Sequence, residues 1–200
     1  MSIKCECLTK LKGTKTEKNL MEAFAGESKA HTQYLYFASK AKKEGYNQIA
    51  NYFTETALNE KEHAKIWFKL LNCGEVPSTI ENLKTAASGE HYEWTSMYKQ
   101  MAADAREEGF NRIADLFEAV SQIESTHEKR YLDLLKNIEE NKVFSRDTDE
   151  EWVCMNCGNI VKGKEAPNMC PVCSHEKSYY KLLRKDYYFR CKLVLTKNVK

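Results

Sequence analysis

The sequence contains few residues that interrupt a helix. Among its 200 residues there are 3 prolines and 8 glycines, and no proline precedes Pro77. Proline breaks a helix interior because it lacks a backbone N–H and clashes with the preceding turn. Long helices are therefore expected in the N-terminal part of the chain, and irregular structure is expected near Pro167 and Pro171.

Long apolar runs and an excess of one charge are also missing. Lys and Arg number 31 against 29 Asp and Glu, which leaves a formal net charge of +2 and no strong field toward nucleic acid or a membrane surface. No apolar segment approaches the roughly 18 residues of a membrane span, and residues 1–13 lack the apolar stretch of a signal peptide. We expect a cytoplasmic protein with no nucleic-acid or membrane partner.

The apolar spacing that is present predicts four long helices. Apolar residues recur at helical spacing from Thr16 to Gly74, with Gly45 as the C-cap between two antiparallel helices. A third helix is expected over 78–108 and a fourth over 111–138. Four helices of this length, joined by short hairpins and one longer crossover, are typical of a four-helix bundle.

The C-terminal third of the chain has a different character. Residues 139–151 are charged and lack apolar periodicity, and from Trp152 short strand-like pieces alternate with Gly, Pro and Cys. The predicted fold class is mainly α, a bundle followed by a small β metal-binding module. The predicted boundaries are an N-terminal extension over 1–15, the bundle over 16–138, a linker over 139–151, the module over 152–181 and a C-terminal extension over 182–200.

The two halves of the helical region repeat each other. The matches are residues 43–53 with 107–117 and the Glu-x-x-His motif at 60–63 with that at 124–127, both at an offset of 64, and Gly26-Glu27 with Gly89-Glu90 at an offset of 63. A duplicated helical hairpin gives a bundle with an approximate two-fold axis. Residues that the repeats share are therefore expected to face each other across it.

The repeated motifs supply a set of metal ligands. In each Glu-x-x-His motif the two side chains lie one turn apart on one helix face, and each remaining helix adds one inward Glu. The predicted ligands are Glu27, Glu60, His63, Glu90, Glu124 and His127. This is the pattern of di-iron carboxylate bundles. One motif alone would indicate solvated charges, but four clustered carboxylates would be strongly destabilising without a cation.

Three further residues near these ligands have two interpretations each. Glu93 lies three residues after Glu90, where the first half has Ala30, so it is either a seventh ligand or a solvent-facing side chain. Tyr34 and Tyr98 are placed to donate hydrogen bonds to ligating carboxylates, as groups around a metal site do. Packing in an aromatic core is the alternative for both tyrosines.

Four of the eight cysteines form two knuckles. Cys154 and Cys157 are separated by twelve residues from Cys170 and Cys173. In a chain without an export signal, clustered C-x-x-C pairs indicate a metal rather than disulfides. Four thiolates make a tetrahedral site that suits iron or zinc, so a zinc ribbon remains an alternative here.

Taken together, these motifs resemble the rubrerythrin family over about residues 11–181. The resemblance is carried by Ala25-Gly26-Glu27-Ser28, Glu60-Lys61-Glu62-His63, Gly89-Glu90-His91-Tyr92-Glu93, Ile123-Glu124-Ser125-Thr126-His127 and the two C-x-x-C knuckles. Plain ferritin-like proteins lack both the cysteine tail and a counterpart of Glu93. The resemblance implies a ferritin-like bundle, a rubredoxin-like C-terminal domain and three Fe per chain, with zinc as a substitute.

The resemblance also implies roles. Glu60 and Glu124 would bridge two irons, the other Glu and His ligands would be terminal, and one iron would exchange His63 for Glu93 on oxidation. The implied reaction is reduction of hydrogen peroxide to water in oxidative stress defence. Electrons would come through the cysteine-held iron from an external NAD(P)H-dependent rubredoxin reductase, in a homodimer or larger assembly. A ferroxidase or iron-storage protein, an oxygen-reducing di-iron protein and a zinc-containing sensor are the alternatives.

Both ends of the chain depart from the family pattern. Cys5 and Cys7 precede its usual start, and we expect free surface thiols there rather than a metal site or a redox pair. Residues 182–200 continue past its usual end and include a strand-like stretch around Cys191. An added edge strand and a disordered tail are both compatible with this composition.

Overall fold

The computed structural model describes residues 10–183. The elements are α1 (Lys15–Lys43), α2 (Asn47–Leu71), α3 (Thr79–Tyr92), a π-helical turn (Glu93–Met97), α4 (Tyr98–Glu107), α5 (Asn111–Glu139), β1 (Ser145–Cys154), β2 (Ile160–Glu165), a 3-10 turn (Lys177–Tyr179) and β3 (Tyr180–Leu182). The chain divides between Ser78 and Thr79 into two compact units. No described helix combines the length and apolarity that crossing a membrane requires. Cys5, Cys7, Cys191 and residues 184–200 lie outside the described residues.

The first unit is the hairpin of α1 and α2. Thr14 caps α1, because its hydroxyl accepts the N–H of Glu17 at 3.1 Å while the Glu17 carboxylate accepts the N–H of Gly13 at 2.6 Å. Together these bonds satisfy two backbone donors at the start of α1. Gly45 follows α1 with φ +86°, a left-handed conformation that glycine adopts without strain. The predicted turn at Gly45 is therefore confirmed.

Small side chains hold each hairpin together. The buried apolar residues of the helices are nearly all alanines, namely Ala38, Ala41, Ala50, Ala57 and Ala64 in the first hairpin and Ala87, Ala102, Ala105, Ala114 and Leu135 in the second. Alanine lets two helix backbones approach closely. Larger side chains remain on the surface of each hairpin, such as Leu58 at 54% and Ile123 at 51% exposure.

The second hairpin consists of α3, α4 and α5. The sequence predicts one uninterrupted helix over 78–108, but the structure interrupts it. A π-helical turn over Glu93–Met97 separates α3 from α4. The repeat explains it: Glu27 matches Glu90 at an offset of 63, but Tyr34 matches Tyr98 at 64. One extra residue therefore lies between Glu90 and Tyr98, and a π turn accommodates one because its hydrogen bonds run from i to i+5.

The two tyrosines show that the register recovers after this turn. Tyr34 contacts Phe53 with ring centroids 6.2 Å apart, and Tyr98 contacts Phe117 at 5.9 Å. Phe53 and Phe117 are themselves related by the offset of 64. The insertion therefore changes the helix locally and leaves equivalent contacts on both sides of it.

The β module is a three-stranded antiparallel sheet in the order β2-β1-β3. Its core consists of Trp152, Cys154, Ala166, Cys170 and Tyr180. β1 starts at Ser145, inside the segment predicted as a linker, because Ser145 pairs with Glu165 across an irregular register. The first residues of β1 are largely charged and exposed, so they carry little apolar periodicity and the pattern did not reveal this strand.

Deletion of Ser96, an exposed residue of the π-helical turn, tests whether one inserted residue causes this turn. We expect the turn to become α-helix and the Glu90–Tyr98 spacing to shorten to that of Glu27 and Tyr34. The melting temperature, followed by circular dichroism, should fall by less than about 5 °C, the equivalent of about 1 kcal/mol.

Deletion of Ser88 in α3 is the control for this experiment. In regular α-helix, removal of one residue rotates the preceding segment by about 100°, which would turn buried Ala87 away from α5. A much larger loss of stability is expected. Equal falls in melting temperature for the two deletions would contradict the explanation of the π-helical turn by one inserted residue.

Candidate metal centres

Three predicted ligands converge within the first hairpin. α1 contributes Glu27, and α2 contributes Glu60 and His63 from adjacent turns. The Nδ1 atom of His63 lies 2.9 Å from Glu60 Oε2 and 3.9 Å from Glu27 Oε2. All three offer ligand atoms within 4.8 Å of one another, which is close enough for one cation to bind all three.

The second hairpin repeats this arrangement with its own residues. α3 contributes Glu90, and α5 contributes Glu124 and His127. His127 Nδ1 lies 2.6 Å from Glu124 Oε2 and 3.7 Å from Glu90 Oε2. These three also have ligand atoms within 4.8 Å of one another. The six ligands predicted from the repeat thus form two equivalent triads, one in each hairpin.

The carboxylates of the second triad repel one another. Burial raises the pKa of Glu90, and its contact with Glu124 raises it further. Burial also raises the pKa of Tyr98, with added effects from Glu93, Glu124 and Glu90. Tyr98 therefore keeps its proton and remains a hydrogen-bond donor among three carboxylates. A divalent cation would relieve this repulsion.

Glu93 occupies the start of the π-helical turn. Its charge influences the pKa values of Glu90 and Tyr98, so it lies near the second triad. Among the described residues, however, its carboxylate is not part of the groups whose ligand atoms lie within 4.8 Å. The structure therefore leaves its role as a seventh ligand a prediction.

A polar network behind the second triad was not found from the sequence. Glu128, the neighbour of His127, accepts a hydrogen bond from the indole Nε1 of Trp94 and lies 3.0 Å from His91 Nδ1. Ser121 donates to the carbonyl of Trp94 at 3.1 Å. These bonds tie the π-helical turn to α5. Their residues are 34 and 27 positions apart, so no local spacing could have indicated them.

The four knuckle cysteines form the third cluster. Cys154 ends β1, and both knuckles turn through left-handed residues, Gly158 at φ +75° and Ser174 at φ +58°. The Sγ atoms of Cys154 and Cys173 are 3.7 Å apart, and those of Cys157 and Cys170 are 3.6 Å apart. Metal–sulfur bonds of about 2.3 Å in a tetrahedron require sulfur–sulfur distances of about 3.8 Å. The cluster therefore fits one tetrahedral metal ion.

Neighbouring groups shift the pKa values of the cysteine thiols in opposite directions. The Tyr180 hydroxyl, aided by the backbone N–H groups of Cys173 and Val172, outweighs burial and lowers the pKa of Cys170 to about 5. The backbone N–H of Asn159 acts in the same direction on Cys157, but the neighbouring thiols and burial raise its pKa to about 12. Four thiolates cannot coexist here without a cation, so the donor set also fits a metal.

Comparison with known proteins agrees with these three clusters. The family described as Rubrerythrin matches residues 18–135 and 81–152, and the family described as Rubrerythrin, rubredoxin-like domain, matches residues 152–181. A protein named Rubrerythrin from Porphyromonas gingivalis is 46% identical over 200 residues, which cover 94% of this chain and 100% of that protein. This chain belongs to the rubrerythrin family.

Two further similarities were found. Rubrerythrin-1 of Clostridium acetobutylicum is 48% identical over 192 residues, covering 88% of this chain and 98% of that protein. A solved structure described as a mixed-valence state of nigerythrin is 34% identical, covers 85% of this chain and 87% of that chain, and has a TM-score of 0.32.

Membership in the rubrerythrin family confirms the predicted fold class and cofactors. The chain is mainly α and ferritin-like, with a small C-terminal rubredoxin-like β domain. A di-iron site and a four-cysteine iron site are its metal centres, for which the structure offers the Glu and His triads and the cysteine cluster. The family is one of di-iron proteins of oxidative stress.

The raised pKa of Glu90 predicts how metal-free protein responds to pH. Its proton is bound more tightly in the folded than in the unfolded state, so this stabilising contribution is present below the unfolded pKa and is lost as pH rises through the folded pKa. Glu90→Gln should therefore raise the urea midpoint of chelator-treated protein near about pH 7, and the gain should vanish in acid.

Glu62→Gln is the matched control for this measurement. Lys65 lies 3.0 Å from Glu62 and lowers the pKa of Glu62, so this carboxylate stabilises the fold above its unfolded pKa and loses that contribution as pH falls. The substitution should slightly lower the midpoint at neutral pH. If both variants shift the midpoint in the same direction, the assignment of repulsion to Glu90 is wrong.

Metal removal should unfold the cysteine module alone. Two of its five core residues, Cys154 and Cys170, are also ligands, and a module of this size needs a metal to fold. We expect chelation to produce trypsin cleavage within residues 152–181, detected by mass spectrometry, while helical circular dichroism persists. Cys170→Ser should be cleaved without chelator, and Cys73→Ser, outside the cluster, should resist. Cleavage spread equally over the helices would contradict a separate metal-dependent module.

Proposed function

We propose that this protein reduces hydrogen peroxide to water at a di-iron site built from the two triads. The observation that carries the proposal is the presence, in one chain, of two equivalent Glu-Glu-His triads and a four-thiolate cluster. The triads suit a redox metal that binds a small oxidant, and the thiolates suit a metal that passes single electrons. A storage bundle would not need the second kind of site.

The repeat supports a site in which the triads share their metals. Each triad offers two carboxylates and one imidazole, which leaves open coordination positions for an oxidant. In the proposed site the metals would be held by the carboxylates of Glu27, Glu60, Glu90 and Glu124 and by the imidazoles of His63 and His127. Apolar side chains remain exposed on each hairpin, such as Leu58 and Ile123.

The chain's own residues would prepare this site for peroxide. The net reaction consumes one peroxide, two electrons and two protons and yields two water molecules, and a bound di-iron pair would supply the two electrons. Tyr98 retains its proton and would donate a hydrogen bond to an adjacent carboxylate, as Tyr34 would in the first hairpin. Glu93 stands beside the second triad as the carboxylate that would replace His63 when the metal charge rises.

The cysteine cluster would serve as the entry point for electrons. Its thiolates would hold an iron that accepts single electrons, and an external NAD(P)H-dependent rubredoxin reductase would supply them. Thiol ligands stay reduced in the cytoplasm, where we place the protein. In the proposed homodimer or larger assembly, the cysteine module of one chain would approach the di-iron site of another.

Anaerobic stopped-flow tests the reaction directly. Fully reduced, iron-loaded protein is mixed with stoichiometric hydrogen peroxide, and the visible absorption of the ferric cysteine site is followed. We expect the colour to return rapidly in the parent protein. Glu124→Ala should slow the return by about 100-fold or more, because even residues around metal ligands contribute 10- to 100-fold.

Glu118→Ala is the control, since it makes the same change on α5 at an exposed residue paired with Arg106. Its rate should equal that of the parent. A fast response to oxygen with a slow one to peroxide would overturn the proposal in favour of an oxidase or ferroxidase. A colourless protein would place zinc at the cysteines and remove the electron-entry role.

A further inference from the structure

Two buried polar atoms in the cysteine module have no hydrogen-bond partner among the described residues. They are the hydroxyl oxygen of Tyr180 and the side-chain nitrogen of Asn159. Tyr180 is only 2% exposed, and burying an unsatisfied hydroxyl destabilises a fold. A phenylalanine would fill the same space without this cost, so the hydroxyl requires an explanation.

The surroundings of Tyr180 supply one. Tyr180 is directly opposite Cys154 in the β1–β3 pairing, and its side chain lies in the core that contains Cys154 and Cys170. The same hydroxyl is the largest cause of the lowered pKa of the Cys170 thiol. Within this shared core, the Cys170 sulfur is therefore the acceptor that the hydroxyl would use in the metal-loaded protein.

Asn159 supplies the second unsatisfied polar atom beside this hydroxyl. Its side chain lies close enough to lower the pKa of Tyr180 against the rise that burial causes. Its backbone is held by the metal site, since its carbonyl accepts the N–H of Cys154 at 2.9 Å. An N–H of Asn159 donated to the Tyr180 oxygen would leave the hydroxyl proton to point toward sulfur.

We propose that Tyr180, oriented by Asn159, is a positioning residue that donates a hydrogen bond to the Cys170 sulfur and raises the reduction potential of the iron held by the four cysteines. A hydrogen bond to a ligand sulfur withdraws negative charge from it. The ferrous site carries one more electron than the ferric site, so the bond stabilises the ferrous site more. The iron in this statement rests on the proposed function.

The decisive variant is Tyr180→Phe, which removes the hydroxyl and keeps the ring. Tyr179→Phe is the matched control, because Tyr179 is the adjacent residue, is 43% exposed and stacks against His175. The midpoint potential of each iron-loaded protein is measured by spectroelectrochemistry of the cysteine site. At a fixed ambient potential the ferrous-to-ferric ratio of Tyr180→Phe should fall about three- to tenfold, where tenfold is about 59 mV for one electron.

A second variant and a second metal separate this inference from the proposed function. Asn159→Leu should also lower the reduction potential, by less than Tyr180→Phe does. If Tyr180→Phe holds no metal, the potential of Asn159→Leu tests the role of Tyr180 instead. In cobalt-substituted protein the thiolate-to-metal absorption of Tyr180→Phe should move to lower energy, whatever metal the cysteines hold natively. Failure to react with peroxide would overturn the proposed function and leave these shifts unaffected. Potentials and spectra equal to those of the parent in both variants would overturn the role of Tyr180.

Discussion

Neutralisation of clustered negative charge by metal cations is the interaction on which this structure depends. Each hairpin brings two carboxylates together around one imidazole, and the β module brings four thiols within contact of one another. Without a cation such groups oppose burial, as the raised pKa values of Glu90 and Cys157 show. The β module therefore needs its metal for stability, whereas the helical hairpins hold carboxylates whose mutual repulsion the metals of the rubrerythrin family would relieve.

Duplication produced two equivalent triads, and a one-residue insertion made their surroundings unequal. The first hairpin has the uninterrupted helix α1, whereas the second has the π-helical turn that carries Glu93 and is tied to α5 through Trp94 and Glu128. A site that cycles between two oxidation states benefits from one side that can supply an additional carboxylate. The asymmetry thus includes Glu93, one of the two residues of the proposed ligand exchange.

The cysteine module shows how a small domain combines folding with electronic tuning. Its core is built from two ligands, one tryptophan, one alanine and Tyr180. With so few apolar residues, the metal replaces the hydrophobic burial that a larger domain would have. The same closeness packs Tyr180 into one core with the ligands Cys154 and Cys170, so in our proposal a core residue also sets the properties of the metal.

Sequence patterns alone determined the ligands and the order of the elements. Helical periodicity, the repeat and the C-x-x-C spacing are local or periodic signals, and they located both Glu-x-x-His motifs, the helix break at Gly45 and the four cysteines. The strand starting at Ser145, the Trp94–Glu128 bond and the packing of Tyr180 with Cys170 were decided only by the tertiary structure. They join residues far apart in the chain, and such pairings depend on strand register and helix packing rather than on the composition of either partner.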